Sequence, residues 1–487
     1  MTLTKHFHRF RSVDALLDGR HELENQEIFF ASPGQLNDPR EGVRDVFWLG
    51  DRVVWKNLHR HYLKCLTRLV QIWCAGGGQH EVDWRHVPLF DPILPAGATT
   101  EFVDLDAKIE TAFFTPEAEA YVSALAARTS PVGREELRSH IQGLNPFAIA
   151  TIVACHEKSG IAVMKPGAVP TAEKFELFAS CFKTSMELIR HAESAPKTPE
   201  AQRALSALFQ ATASVRSQMT FINQYNSALD VSMPGKSFVF VEFPAGYVDK
   251  LDSILHPAWY AACFMTNSED AALWAYYGDN HKGACLIFKA DGSEERPTLG
   301  LHGLSGVGSD GPRAGYRSHE FLPINYSNDG AKVDFFRSFG LMPIPTLNRV
   351  WYFDLVDGWS SCSRDMHDDI DAWRGRYWKT FELGATTKME DWKAEGEHRL
   401  LLHSNLIDFS DPSTRKLKYD FRSLAGIVFG HKTPATDRIR IGRIIEAKCR
   451  ASGRTDFKFY EAAVSSATGK IVHNELSLFK FGSATAT

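Results

Sequence analysis

Residues 392–402, with the sequence WKAEGEHRLLL, carry the pattern that decides the fold of this chain. If the stretch is extended, the two-residue period of a strand places Glu395, Glu397 and Arg399 on one face. The alternate positions, which include two leucines, then face a core. Two carboxylates and a guanidinium side by side on a strand form either a solvated salt-bridge ladder or the wall of a cleft. The stretch therefore predicts a strand of a partly buried sheet that carries a candidate polar site.

The hydrophobic pattern changes along the chain and separates helical from extended regions. Between Trp55 and Tyr225, apolar residues recur at helical spacing, as in the stretches 55–73 and 205–222. After Pro234, short runs of β-branched and aromatic residues follow, which are typical of strands. We predict strands at 237–243, 284–288, 424–429, 439–445 and 457–464.

These changes predict an α+β fold with a discontinuous core. The N-terminal segment and the C-terminal half would form the sheet-based core, with a large helical insertion between them. A Gly- and Ser-rich stretch at 291–317 is predicted to be a mobile flap, because no strand-loop-helix pattern surrounds its glycines. The predicted bounds are 1–50 for the first part of the core, 51–230 for the insertion, 231–475 for the second part of the core and 476–487 for a C-terminal tail.

Composition excludes several classes of protein. The chain has 487 residues and a formal net charge of −4, without the basic excess of a protein that coats nucleic acid. Its 8 cysteines are scattered and form no C-x-x-C pair, so a structural zinc site is not expected. The N-terminus lacks the apolar run of a signal peptide, and no stretch reaches the length of a membrane span. We therefore expect a cytoplasmic protein with no membrane partner and no constitutive nucleic-acid binding.

Two stretches near the N-terminus place polar side chains where a ligand could bind. In FHRFRS, residues 7–12, Arg9 and Arg11 share one face of a predicted strand, where they would either hold a phosphate or protect a sheet edge. Asn37 and Asp38 follow a predicted strand and precede a proline. They are standard turn formers, and they also suit a ligand-facing rim.

A third candidate stretch lies between residues 266 and 285. A short predicted helix ending at Gly278 carries Trp274 and Tyr277, and His281 follows in the turn to the next strand. Aromatic side chains in such a helix serve either as core or as a platform for a ring-shaped ligand. A histidine in an exposed turn has no diagnostic value by itself.

Together these motifs resemble those of a widespread bacterial family labelled only as a domain of unknown function. The resemblance rests on F-x-S-P-x-x-x-N-D-P at 30–39, on L-W-x-x-Y and N-H-K-G-x-C at 273–285, and on W-x-x-E-x-E-x-R at 392–399. It covers residues of roughly 5–45, 260–290 and 375–432. The helical block is much longer than a usual member needs, so the resemblance assigns it no role.

The layout of the three blocks is also similar to that of the ADP-ribosyltransferase fold, which implies an enzyme that uses NAD as substrate. The implied catalytic residues are Glu397, Glu395 and Arg399. A carboxylate hydrogen-bonded to a ribose hydroxyl stabilises the oxocarbenium-like state in which the nicotinamide–ribose bond breaks. A toxin or anti-phage role, with an unidentified macromolecular or small-molecule acceptor, is implied by the resemblance alone. The residues implied for binding NAD are Arg9, Arg11, Asn37, Asp38, Trp274, Tyr277 and His281.

Two alternatives stay open at this point. Asp38, Glu41, Glu395 and Glu397 could converge on Mg²⁺, as in a metal-dependent nuclease or phosphoesterase, although the sequence shows no basic stripe for a phosphate backbone. The chain could instead be a non-enzymatic interaction module that docks a protein partner through an exposed apolar face of its helical block.

Overall fold

The chain forms two compact units, each with an apolar core of its own. The first unit comprises Met1–Val43, Pro257–Gly330 and Phe381–Thr487, and the second comprises Arg44–His256 and Ala331–Thr380. Among the described residues, no helix is both long enough and apolar enough to cross a membrane. The computed structural model describes residues 5–75, 81–94, 97–160, 172–226 and 235–481.

An eight-stranded sheet is the framework of the first unit. Its strand β1 comes from the N-terminal segment and its other strands from the C-terminal half, so the predicted α+β fold with a discontinuous core is confirmed. The order across the sheet is β4-β5-β2-β1-β3-β6-β7-β8, in which β6 and β7 pair in parallel and the other neighbours are antiparallel. In chain order the strands are β1 (His6–Arg11), β2 (Trp259–Met265), β3 (Ala284–Lys289), β4 (Leu322–Pro323), β5 (Glu397–His403), β6 (Leu424–Phe429), β7 (Lys458–Val464) and β8 (Ile471–Glu475).

Alternation along these strands gives the sheet two buried faces. Phe7 and Leu400 lie on one face, in a core that includes Ile441 and Ile445. Both isoleucines belong to the helix Ala435–Ser452, so the strand predicted at 439–445 is wrong. Their spacing of four residues is helical, and it buries them together against the sheet. The first unit also contains the short helices Val13–Leu17, Glu22–Asn25 and Ala271–Tyr276.

The Gly- and Ser-rich stretch at 291–317 is not a flap but a β-hairpin. Its strands Pro297–Gly308 and Gly311–Glu320 pair along their length. Leu299 and Leu301 alternate along the first strand and are buried, which ties the hairpin to the core. The hairpin joins a second sheet whose other strands are Glu27–Phe29, Lys416–Tyr419 and Asp291–Gly292.

The second unit is mainly helical and contains the whole of the predicted insertion, but it is larger than the predicted bounds. Residues 331–380 belong to it because Val333 and Trp351 lie in its core and because Lys332–Asp334 pairs in parallel with Asp45–Trp48. Its longer helices are Arg52–Ala75, Thr100–Phe113, Pro116–Ala126, Arg134–Lys158, Ala172–Ala179, Cys181–Ser194, Pro199–Tyr225 and Phe243–Lys250.

Two further predictions concern segments outside these helices. The stretch 237–243, predicted as a strand, is helical: a π-helical turn at Phe238–Glu242 leads into the helix Phe243–Lys250. The buried side chains of Val239, Phe243 and Tyr247 recur every four residues, which is a helical period. Of the predicted tail, residues 476–481 pack on the first unit through Leu476 and Phe481, and 482–487 lie outside the described residues.

Candidate functional site

The eight-stranded sheet opens between β1 and β2. The two strands pair at a single position, His8 opposite Met265. Farther along β2, Ala261 pairs with Ala31 instead of with β1. A cavity of about 250 Å³ lies at this opening. Its polar lining consists of His8, Arg9, Arg11, Arg20, Gln35, Asn37, Glu41, Tyr277, Lys388 and Glu397.

Arg9 places a buried guanidinium group at the cavity, and no carboxylate of the described residues forms an ion pair with it. The side chain is 6% exposed, and it donates to the carbonyl oxygens of Cys263 at 3.2 Å and Phe29 at 3.0 Å. Its Nε has no hydrogen-bond partner among the described residues. Burial and the neighbouring Arg11 lower the pKa of Arg9 to about 10, so the group stays charged at neutral pH. A buried cation that faces a cavity and whose hydrogen-bond partners are neutral carbonyl groups favours an anionic ligand.

Arg11 and Arg20 add positive charge near Arg9, but both lie close to a carboxylate. Arg11 donates from Nε to Oε2 of Glu22 at 2.7 Å and also from Nη2 to Oε1. Arg20 lies 3.6 Å from the same carboxylate, with its guanidinium over the ring of Phe29. Three guanidinium groups of the cavity lining therefore share one carboxylate, and the local charge is positive.

Glu397 is a buried carboxylate on another wall of the cavity. Its Oε1 accepts from Nε of Arg399 at 2.7 Å and its Oε2 accepts from Nζ of Lys388 at 2.8 Å. Its backbone N–H donates to the hydroxyl oxygen of Tyr326 at 2.7 Å. Burial favours the protonated acid, but Arg399 and Lys388 outweigh it and lower the pKa of Glu397 to about 2. Glu397 is thus ionised across the physiological range.

Glu395 reaches the same cluster by a different route. It ends the 3₁₀ helix Glu390–Glu395, and Gly396 with φ of +54° turns the chain into β5. The prediction of one strand face is therefore right for Glu397 and Arg399 and wrong for Glu395. The Glu395 carboxylate accepts from the Tyr277 hydroxyl at 2.6 Å and from Nζ of Lys388 at 2.6 Å. Burial raises the pKa of Glu395, although Lys388 partly offsets that effect.

Arg399 holds the carboxylates in place and does not line the cavity. The side chain is fully buried. Besides Glu397, it donates to both carboxylate oxygens of Glu41, at 2.6 and 2.8 Å, and to the carbonyl oxygen of Ala385 at 2.8 Å. The resemblance implies that Arg399 takes part in catalysis directly. Because its buried side chain does not line the cavity, Arg399 instead positions Glu397.

Lys388 is central to the cluster, yet the sequence pattern does not reveal it. Thr387–Lys388 forms a short parallel pair with Asn325–Tyr326, which brings both the ammonium group of Lys388 and the hydroxyl of Tyr326 to Glu397. Neither dipeptide shows a period or motif. In the sequence, only the carboxylates of Glu395 and Glu397 indicate that a cation lies nearby, since buried carboxylates require neighbouring positive charge.

The other predicted ligand-binding residues fall into two groups. Asn37 lies exposed on the rim of the cavity, and Tyr277 lines it. Asp38, Trp274 and His281 do not line it. Asp38 is buried and accepts from two backbone N–H groups, both at 2.8 Å, so it stabilises its turn.

Trp274 and His281, which the resemblance implies for binding NAD, lie outside the lining of the cavity. The ring of Trp274 is fully buried, packs edge-on against Phe10 and donates to the carbonyl oxygen of Ser268 at 2.8 Å. His281 lies in a turn with φ of +69°. The glycine of the N-H-K-G motif has a packing role: a Cβ on Gly283 would lie 2.2 Å from the carbonyl oxygen of Arg11. These motif residues therefore stabilise the fold around the site.

The carboxylates do not form a metal site. Among the described residues, no group of three or more His, Cys, Asp or Glu side chains could hold a metal ion. Glu41 and Glu397 converge on Arg399, while Glu395 and Glu397 converge on Lys388. These two side chains supply the positive charge that Mg²⁺ would bring.

No family model matches this chain, and neither the curated proteins nor the solved structures contain a significant match to it. The resemblances drawn from the motifs stay predictions, and function has to be argued from the site.

Proposed function

We propose that the first unit binds NAD in the cavity between β1 and β2, cleaves its nicotinamide–ribose bond and transfers ADP-ribose to an acceptor. One observation carries this proposal. The same cavity is lined by Arg9, a buried cation with no ion-pair contact among the described residues and an unpartnered Nε, and by Glu397, a buried ionised carboxylate. A pyrophosphate needs the first group, and a positively charged ribose in the transition state needs the second.

The cavity size fits part of a dinucleotide. Its volume of about 250 Å³ is slightly below the ~300–1,000 Å³ of pockets that hold whole drug-sized ligands. The nicotinamide ribose and the pyrophosphate would lie inside, and the adenosine half would extend over the exposed rim near Asn37. Arg9 and Arg20 would pair with the phosphate oxygens, since guanidinium groups match that geometry.

In the proposed reaction, the bond between ribose C1′ and the nicotinamide ring nitrogen breaks, and its electron pair leaves with neutral nicotinamide. Glu397 stabilises the positive charge that develops on the ribose. Each of its oxygens has two lone pairs, so the bonds from Arg399 and Lys388 leave capacity for a ribose hydroxyl. An oxygen or nitrogen of the acceptor then bonds to C1′ and gives up one proton.

Tyr277 and Glu395 provide a route for that proton. Tyr277 lines the cavity, and its hydroxyl donates to Glu395, which is not part of the lining. Tyr277 accepts the proton of the acceptor while it passes its own to Glu395. Burial raises the pKa of Glu395, which makes this carboxylate a better proton acceptor than Glu397.

The test is nicotinamide release from NAD by the purified chain, with and without cell lysate as a source of acceptors. We expect release by wild type and loss of release in Glu397→Gln. Glu461→Gln is the matched control, because Glu461 pairs with Arg438 and does not line the cavity. If wild type neither binds NAD nor releases nicotinamide when lysate is present, the proposal is overturned.

A second candidate function, self-association through the second unit, is supported by one helix. On Pro199–Tyr225 the side chains of Leu208, Val215 and Ile222 are seven residues apart and are 58, 59 and 48% exposed. An apolar stripe that repeats every seven residues can pack against the same stripe on a second copy of the chain. The predicted stripe at 55–73, in contrast, is buried in the core. Light scattering tests the candidate: Val215→Asp should convert a dimer to a monomer, and a monomeric wild type would eliminate it.

A further inference from the structure

A basic groove lies at the end of the eight-stranded sheet where β1, β6 and β7 begin and β3 ends. It has a volume of about 1050 Å³. Its lining includes Lys289, Arg422, Arg454 and Lys458, with Asp456 as the one carboxylate. The four cations come from three separate stretches of sequence that the sheet topology gathers, which is why no basic stripe is visible in the sequence.

Among the described residues, two of these four cations form ion pairs and two do not. Arg454 pairs with Asp456 at 2.6 Å, and Lys458 pairs with Glu475 at 3.0 Å. Lys289 and Arg422 are exposed and form no ion pair in the described part of the chain. Two paired and two unpaired cations around one groove attract a ligand with several negative charges.

Four residues with aromatic or imidazole rings also line the groove. His6 and His8 of β1, Tyr460 of β7 and His473 of β8 all line it. The register places His6 opposite Lys289, so a ring and a cation lie side by side. Aromatic and imidazole rings beside cations are the combination on which single-stranded nucleic acids stack their bases and neutralise their phosphates.

One residue is shared by the groove and the cavity. His8 lines both, so the groove and the space that Glu397 lines are adjacent at this position of β1. We propose that the groove binds single-stranded nucleic acid and presents it to the cavity as the acceptor of ADP-ribose. The acceptor role rests on the proposed function, whereas strand binding does not. A duplex keeps its bases stacked internally and cannot use the rings, so the single strand is the expected ligand.

Fluorescence anisotropy with a labelled poly-dT strand of about 20 nucleotides tests the groove, since such sites span ~4–16 nucleotides. We expect binding by wild type and at least roughly tenfold weaker binding by Lys289→Glu/Arg422→Glu. The matched control is Lys416→Glu/Arg443→Glu, which makes the same change of charge at exposed residues outside the groove. We expect the control to bind as wild type does.

The salt dependence gives a second measurement. Each lost phosphate contact should reduce the slope of log affinity against log salt by about 0.7, so the groove variant should lose about 1.4. Three results would each contradict the proposal that the groove binds a single strand. They are no strand binding by wild type, an equal loss of affinity in the control variant, and equal affinity for a duplex of the same length. Tight binding of a phosphopeptide instead of the strand would do the same.

NAD cleavage measured on the same samples separates the two proposals. Strand binding without NAD cleavage supports the proposal that the groove binds a single strand, and it contradicts the proposed function. NAD cleavage without strand binding contradicts the proposal that the groove binds a single strand, and it leaves the proposed function supported. If both occur, mass spectrometry of the strand decides its role: an added ADP-ribose supports the acceptor assignment, and an unmodified strand refutes it.

Discussion

Lys388 and Glu397 form a buried ion pair, with Nζ 2.8 Å from Oε2, and the same ammonium group lies 2.6 Å from Glu395. With Arg399 and Glu41, they form a network of three carboxylates and two cations in which every side chain is almost fully buried. One carboxylate is therefore in excess. Burial raises the pKa of Glu395 and of Glu41, whereas Arg399 and Lys388 outweigh burial at Glu397 and lower its pKa. The network assigns different protonation behaviour to two glutamates that are two residues apart.

Glu397→Gln should abolish NAD cleavage and also destabilise the first unit. Glutamine keeps the shape of the side chain, but it leaves Lys388 and Arg399 without their shared counter-charge. Breaking a buried ion pair from one side typically costs about 3–5 kcal/mol. Thermal unfolding and nicotinamide release should therefore both change.

Glu136→Gln is the control for this prediction. It breaks the buried ion pair between Glu136 and Arg128 in the second unit. It should lower the melting temperature but leave nicotinamide release intact at temperatures where the protein is folded. Equal loss of activity in both variants would mean that destabilisation, and not the site, explains the effect of Glu397→Gln.

The stability contributed by Glu397 should depend on pH in a defined window. Its pKa is about 2 in the folded protein against an ordinary value of 4.5. Because the folded pKa is the lower one, this stability is fully present above pH 4.5 and is lost as the pH falls toward 2. The loss is of order 3 kcal/mol. Glu395 has a raised pKa and acts in the opposite direction, so wild type alone does not isolate the effect.

The measurement is the difference in unfolding free energy between wild type and Glu397→Gln. We expect this difference to be constant near neutral pH and to shrink progressively in acid below pH 4.5. Urea titrations at several pH values provide it. A difference that keeps its neutral-pH size down to strongly acidic conditions would show that Glu397 is not held ionised by Lys388 and Arg399.

Arg9 and Arg11 should differ in their effect on anion binding. Arg9→Gln removes a cation that has no carboxylate partner, and we expect NAD or free pyrophosphate to bind more than roughly tenfold more weakly, in line with the ~1.5–3 kcal/mol of a charged hydrogen bond. Arg11→Gln removes a cation that Glu22 already neutralises, so its effect should be several times smaller. Calorimetric titration of both variants provides the comparison. Equal effects, or a larger effect of Arg11→Gln, would place the anion elsewhere.

The sequence predicts the class of the fold and half of the site, and the remainder has identifiable physical causes. The strand period places Glu397 and Arg399 correctly, because alternation is local. Lys388 was missed because it reaches Glu397 through a two-residue strand pair that has no local pattern. The stretch 439–445 was mistaken for a strand because β-branched residues suit both a strand and a buried helix. Burial decides between these structures, and burial depends on the whole chain.

Trp274 and Tyr277 provide the sharpest test of which aromatic residue belongs to the site. Both were candidates for contact with nicotinamide. Trp274 is fully buried against Phe10, whereas Tyr277 lines the cavity and donates to Glu395. Trp274→Phe should therefore reduce stability by about 1–3 kcal/mol, through a lost hydrogen bond and a small cavity, while turnover of the folded protein stays unchanged.

Tyr277→Phe should give the opposite result. It removes one hydroxyl, so the change in melting temperature should be small, but the proton route from the acceptor to Glu395 is interrupted. We expect turnover to fall by about 10²–10⁴-fold, the usual contribution of a positioned acid–base group, with little change in KM. Steady-state kinetics and thermal unfolding of both variants separate the outcomes. Full turnover in Tyr277→Phe would remove Tyr277 from the mechanism, and with it the proposed proton route from the acceptor to Glu395.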